Sequence, residues 1–239
     1  MSEELSKTRA MSEATVTHKF FLLFVFLLGY LIFYPYLQNS GAGYYMFRLI
    51  ATAITALCVY AVSFRRSLAI VALALAIPVL LDHLHFRQAD ADALSIFYKC
   101  LSLAFDTFII VVIFRRVFFR GRATAETISG ALCIYLLVGF SFANLYWLMA
   151  VLQKNAFYLD PVTNSHSIPN RFDLIYYSFG TMTSLGAAGI TAVSDQARSL
   201  SVIEAVLGLL YLAVLISRLM GAYRSDNVRE EHSSDHASR

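Results

Sequence analysis

Residues 172–191, FDLIYYSFGTMTSLGAAGIT, combine features that only one kind of chemistry uses together. The run 172–185 is semi-apolar and too short to cross a bilayer. Gly186, Ala187, Ala188 and Gly189 then leave irregular backbone between two long apolar blocks. Backbone of that kind survives at membrane depth only inside protein or beside a water-filled cavity. A short helix ending at its carbonyl pole, followed by small residues, presents backbone oxygens to dehydrated cations. The hydroxyls of Thr183 and Ser184 add further oxygens at the same place. The chemistry expected is therefore coordination of a passing ion, not the making or breaking of bonds.

Catalytic patterns are missing: there is no GxSxG, HExxH or P-loop, and no Ser-His pairing embedded in neighbouring apolar blocks. The chain does not read as an enzyme. His83 and His85 form an HxH pair beside Asp82, but no third or fourth ligand follows at metal-site spacing. Neither a resident metal nor a cofactor is expected. Cys58, Cys100 and Cys133 show no CxxC or Cys/His spacing and read as buried small hydrophobes.

The elements that must position such a loop are membrane helices. With 58% hydrophobic and 15% charged residues and a mean hydropathy of +0.62, the chain is too apolar for an ordinary soluble domain. Its apolar residues come in blocks fit for a hydrocarbon core of ~30 Å. Six spans are expected, at 20–36, 46–64, 67–81, 94–119, 127–152 and 199–222, the third being the shortest. The fold class is thus all-α integral membrane, with a re-entrant helix and loop between the fifth and sixth spans.

Charge in the connections sets the orientation. Arg65 and Arg66 join the second and third spans, and Arg115, Arg116, Arg120 and Arg122 join the fourth and fifth. Both connections read as cytoplasmic, which puts both termini there as well. The polar lead before Phe20 is followed by no small-residue cleavage site, so the first block reads as an uncleaved span. The expected organisation is a cytoplasmic segment at 1–19, a four-helix membrane domain at 20–122, a pore domain at 123–224, and a disordered cytoplasmic tail at 225–239. The arginines are scattered in short clusters and the net charge is only +3, so nucleic acid is not an expected partner. Lipid is, with the Arg115–Arg122 cluster placed to touch anionic headgroups.

Asp173, Tyr176, Tyr177, Ser178, Thr181, Met182, Thr183, Ser184, Leu185 and Gly186 resemble the pore helix and filter entrance of the potassium channel family. The run ARSLSVIEAVLGLLYLAVLISRLMGAY, from 197 to 223, resembles the inner helix of bacterial two-helix-pore channels, including Glu204, Gly208 and Arg218. The resemblance implies a homotetramer in a bacterial inner membrane, passing a monovalent cation, K+, without a cofactor. It also implies that Thr183, Ser184, Leu185, Gly186, Ala187, Ala188 and Gly189 form the conduction filter. Asp173, Glu204 and Gly208 would support the filter or gate it, Gly208 as a hinge; close helix packing explains a glycine there equally well.

The family filter reads Thr-Val-Gly-Tyr-Gly-Asp, whereas this chain has SLGAAG at 184–189. Ala187 cannot brace the filter as the tyrosine would. Ala188 stands where a left-handed glycine is implied, at an expected cost of ~1–2 kcal/mol per subunit. Gly189 removes an acidic ring at the mouth. Selectivity is therefore open, and the alternative is a non-conducting or modulatory subunit that assembles with related channel subunits. Glu204, about one turn into the last span, is expensive unless paired, and Arg198 is the candidate partner in sequence. Lys99 and Asp106 are the only charges in the fourth span before its arginine cluster, too few for steep voltage dependence.

Overall fold

The computed structural model describes residues 2–37, 41–85, 93–119, 125–153 and 155–237. Seven helices and one small two-stranded antiparallel sheet account for most of them. In chain order they are α1 (Ser2–Leu37), α2 (Gly41–Val62), α3 (Arg66–His85), α4 (Ala93–Phe119), α5 (Ala125–Leu152), β1 (Phe157–Leu159), α6 (Arg171–Met182), β2 (Ile190–Ala192) and α7 (Asp195–Ala237). Four apolar stretches within them, Lys19–Tyr36, Ala93–Phe119, Glu126–Leu152 and Asp195–Arg218, are long enough to cross a membrane. α2 and α3 contribute the shorter stretches Arg48–Val62 and Arg66–Leu81.

Two departures from the sequence expectation concern the chain's tail and one cysteine. Residues 225–237, expected as a disordered tail, continue α7 as helix. Cys100, expected to be buried, is exposed, while Cys58 and Cys133 are buried as expected and all three thiols are free. The side chains of Asp82, His83 and His85 lie outside the described residues, as do Arg120 and Arg122 entirely.

Packing divides the molecule into a large apolar core and a smaller one. The large core gathers Phe20, Leu23, Cys58, Val62, Ala72, Ile109, Ile113 and Ile134 from α1 through α5. Arg116 of α4 is tied into its edge: its guanidinium meets Glu126 at 3.1 Å and lies 4.7 Å from the centre of the Phe64 ring. The residue that reads as a topology signal thus also fastens α4 to the start of α5. The smaller core holds Tyr146, Phe157, Leu174, Tyr177, Ile190 and Ala192. Its rings Tyr146, Phe157 and Tyr177 pack edge to face, with centroids 5.1, 5.3 and 5.6 Å apart. Such pairs contribute about 0.5–1.5 kcal/mol each beyond their buried area. They join α5, β1 and α6 into one block.

An aromatic chain bridges the cores. Tyr30 of α1 packs on Phe140 of α5 at 5.3 Å, and Phe140 packs on Phe179 of α6 at 5.2 Å. The position of α6 is thereby linked to α1.

Candidate ion-conduction site

α6 begins with a reciprocal cap. The Asp173 amide donates to Asn170 Oδ1 at 3.0 Å, and the Asn170 amide donates to Asp173 Oδ2 at 2.8 Å. His166 Nε2 lies 2.6 Å from the same carboxylate oxygen. Two of the donors that a helix start leaves unpaired are satisfied in this way. The sequence marked Asp173 as support for the site, and its place in the structure is the anchor of the α6 N-terminus.

α6 and α7 meet along a ladder set by helical periodicity. Residues four apart share a helix face, and so Ser178 and Met182 on α6 oppose Glu204 and Gly208 on α7. Glu204 is fully buried. Its Oε1 lies 2.5 Å from Ser178 Oγ, and its Oε2 accepts from the Tyr146 hydroxyl at 2.6 Å. Ser178 Oγ also lies 2.7 Å from the Gly139 carbonyl. Nearby, the hydroxyls of Tyr177 and Ser201 meet at 2.7 Å, and Ser201 donates to the Ala197 carbonyl at 2.8 Å. Glu204 therefore fastens α7 to both α5 and α6. Arg198, its partner candidate in sequence, turns away: its Nε donates to the Ala192 carbonyl at 3.2 Å.

One turn further along, a Cβ on Gly208 would stand 2.5 Å from the Met182 carbonyl oxygen and 2.6 Å from Met182 Cγ. Backbone of α6 approaches α7 so closely there that only glycine fits. Of the two explanations for Gly208, close packing is the one this geometry carries.

The loop that follows, 183–189, turns back on α6. The Gly186 amide donates to the Gly180 carbonyl at 3.0 Å, the Ser184 amide to the Thr181 carbonyl at 3.1 Å, and the Thr183 hydroxyl to the Phe179 carbonyl at 2.6 Å. The Ala188 amide donates to the Tyr176 hydroxyl at 3.2 Å. Ala187 packs partly against the smaller core, but Thr183, Ser184, Gly186 and Ala188 are exposed, and Leu185 is 79% exposed.

Strain falls elsewhere than the sequence suggested. Positive φ occurs at Ser184 (59°), Gly186 (82°) and Gly189 (84°), not at Ala188. The left-handed cost of ~1–2 kcal/mol assigned to Ala188 belongs to Ser184 instead. The two left-handed glycines are three residues apart, where the family pattern spaces its glycines by two.

Gly189 is also where an unforeseen element grips the loop. Its carbonyl accepts from the Asp160 amide at 2.9 Å and from Asn164 Nδ2 at 2.9 Å. A Cβ at Gly189 would collide with Thr163 Oγ1 and Asn164 Nδ2. Residues 160–164 hold themselves through an Asx turn, Val162 N donating to Asp160 Oδ1 at 3.0 Å, and through Asn164 Nδ2 donating to the Asp160 carbonyl at 3.0 Å. β1 and β2 pair antiparallel just beyond, in the register Phe157↔Ala192, Tyr158↔Thr191 and Leu159↔Ile190. The DPVTN string at 160–164 carries the turn signature that sequence reading passed over. No groups of three or more His, Cys, Asp or Glu placed to hold a metal occur among the described residues.

Comparison with known proteins decides what kind of module this is. Residues 128–225 match a family model described as an ion channel. Those residues are similar to the two-helix pore module of the potassium-channel type. The match runs from α5 through α6 and its loop into α7, the same stretch that the Glu204 and Gly208 contacts bind together. No curated protein and no solved structure matches the chain. The channel segment and the four long apolar helices make this a membrane protein with a channel-like role in ion transport.

Proposed function

We propose that four copies of the chain assemble around a central axis into a passive pore for monovalent cations, with residues 183–189 of each copy as the filter. The observation that carries the reading is the contrast on α6. Its inner side is fully engaged with α5 and α7, whereas the loop at its carbonyl end exposes Leu185 and the backbone around it. One chain supplies only a quarter of a ring of oxygens, and a loop of this kind needs neighbouring protein to cover it. In this reading α5 is the outer helix, α7 the inner helix and α6 a re-entrant pore helix. Helices α1 to α4 form a peripheral domain, giving six spans with both termini in the cytoplasm and lipid around the rim.

Selectivity is the part most altered. The inner carbonyls near Thr183 to Gly186 keep a left-handed glycine in the family position, while the outer half is reshaped around Gly189. Potassium is the favoured ion at the inner sites, with weaker discrimination against sodium than an unaltered filter gives. The shifted second glycine also favours a second reading, a modulatory subunit that tunes related channel subunits without conducting. Native mass measurement in mild detergent and cation flux from liposomes separate the two. A tetramer with flux supports the pore, and a folded chain that is silent alone but alters a co-reconstituted channel supports the modulator. A monodisperse monomer in both detergent and lipid would sink the tetramer.

A further inference from the structure

The ends of α4 and α7 meet at one level of the molecule. The Arg218 guanidinium of α7 lies 4.8 Å from the centre of the Phe118 ring of α4. Phe118 stacks on Phe114, one turn back, with centroids 4.2 Å apart. It also lies 6.3 Å from the ring of Tyr211, whose hydroxyl donates to the Ala131 carbonyl at 2.6 Å. Rings thus hold the junction, and Arg218 rests against them. Arg218 is half-buried, and its Nη1 is buried with no hydrogen-bond partner. Arg116 nearby in α4 differs, its guanidinium being taken up by Glu126.

An arginine keeps its charge at any physiological pH, so Arg218 cannot escape the cost of an unmet nitrogen by losing a proton. What points to an anion is this one nitrogen on a guanidinium held by a ring, not a tally of charges. The side chains of 221–237 and the whole of 120–124 lie outside the described residues. Depth narrows the source of the anion. Arg218 ends an apolar stretch of 24 residues that starts at Asp195, which is ~36 Å of helix against a hydrocarbon core of ~30 Å. It therefore stands at the level of headgroup phosphates, where long basic side chains carry their charge. Four residues back on each helix, and so on the same faces, Val214 and Phe114 are exposed. They give an apolar track that runs from the guanidinium into the bilayer. Arg115, three residues before Phe118 and also exposed, adds a second cation within one turn.

We propose that the junction of α4 and α7 binds an anionic phospholipid, its phosphate oxygens on the open side of Arg218 and one acyl chain along Phe114 and Val214. A guanidinium presents its donors as a planar fork suited to phosphate, and the Phe118 ring fixes that plane. Zwitterionic headgroups carry their own cation beside the phosphate and satisfy the arginine less well. Bound there, the lipid straps α7 to the end of α4. The site uses one chain alone and does not depend on the assembly of four.

Native mass spectrometry and thermal unfolding of the full chain in a nonionic detergent test the proposal, with phosphatidylglycerol, phosphatidylcholine and inorganic phosphate as the added probes. Phosphatidylglycerol at about ten times its Kd should raise the unfolding midpoint by about 4 °C, and phosphatidylcholine by less than about half as much. Arg218→Met should bind phosphatidylglycerol about tenfold more weakly. Without lipid it should unfold no lower than the parent, because it removes the unmet nitrogen and keeps a contact with the Phe118 ring. Arg218→Lys retains the charge but not the fork, and its affinity should fall between the two. Equal rises with phosphatidylglycerol and phosphatidylcholine overturn the proposal, as does an Arg218→Met affinity equal to that of the parent. A rise with inorganic phosphate that matches phosphatidylglycerol assigns the site to a free anion and overturns the lipid. An Arg218→Met variant that unfolds well below the parent without lipid shows that Arg218 is already satisfied within the protein, and overturns it too. No ion flux enters these readouts, so failure of this site and failure of the pore are separate results.

Discussion

The two faces of α6 are built to opposite rules. Toward α7 every group is matched: Glu204 meets Ser178 and Tyr146, and Gly208 admits the Met182 carbonyl. Toward its carbonyl end the chain spends strain, with Ser184 left-handed and Leu185 standing exposed. A buried network of this kind is costly to disturb because each member leaves another unpaired. A strained loop held by a few hydrogen bonds is cheap to alter. On the proposed reading the fold resides in the first face and the function in the second, and substitutions should separate them.

Glu204→Ala should give the largest loss, about 3–5 kcal/mol, since it opens a cavity and strands the Tyr146 hydroxyl and Ser178 in an apolar surround. Thermal unfolding in detergent reads it. Glu204→Gln, which can accept from Tyr146 and donate to Ser178, should recover most of that loss. If alanine and glutamine are equally tolerated, the network does not fasten α7 and the comparison fails.

Gly208→Ala comes next, at about 1–3 kcal/mol, because the added methyl meets backbone that cannot step aside. A hinge role alone would leave stability unchanged and alter only opening rates.

Gly189→Ala should cost about 1–2 kcal/mol from its left-handed backbone, and it should also release the 160–164 turn. Faster proteolysis near Val162 is the expected sign. The same geometry predicts that replacing Gly189 with aspartate to restore the family pattern is strained, and that Ala188→Gly relieves nothing.

The smallest effect belongs to Tyr176→Phe, which removes one hydrogen bond to the Ala188 amide at about 0.5–1.5 kcal/mol. Stability should hardly move, while the sodium to potassium flux ratio changes. A flux ratio identical to that of the parent would place Ala188 outside the conducting path.

Much of the first face was legible in sequence, and little of the second. Helical periodicity puts Glu204 and Gly208 on one side of the last span, and each was marked as supporting the site. What sequence could not supply was Tyr146, since a partner 58 residues away is fixed by packing and leaves no local signal. Arg198, near in sequence, was the wrong neighbour because the Ala192 carbonyl claims it. The loop was found from its small residues, but its strain was assigned to Ala188 by analogy with the family spacing. The second left-handed glycine is Gly189, held at its carbonyl by the Asp160 amide and Asn164 Nδ2, a tertiary contact with no local signal in sequence. The strands of three residues each are too short for alternation to be recognised.

The most direct test of the central claim, that residues 183–189 line a cation path in an assembly of four, is potassium flux from liposomes carrying a Leu185→Cys variant in a background lacking Cys58, Cys100 and Cys133. The account predicts flux in the variant and its loss when a bulky thiol reagent is attached at position 185, with the cysteine-free parent unaffected. Flux that continues undiminished through a fully labelled Leu185→Cys protein would contradict it.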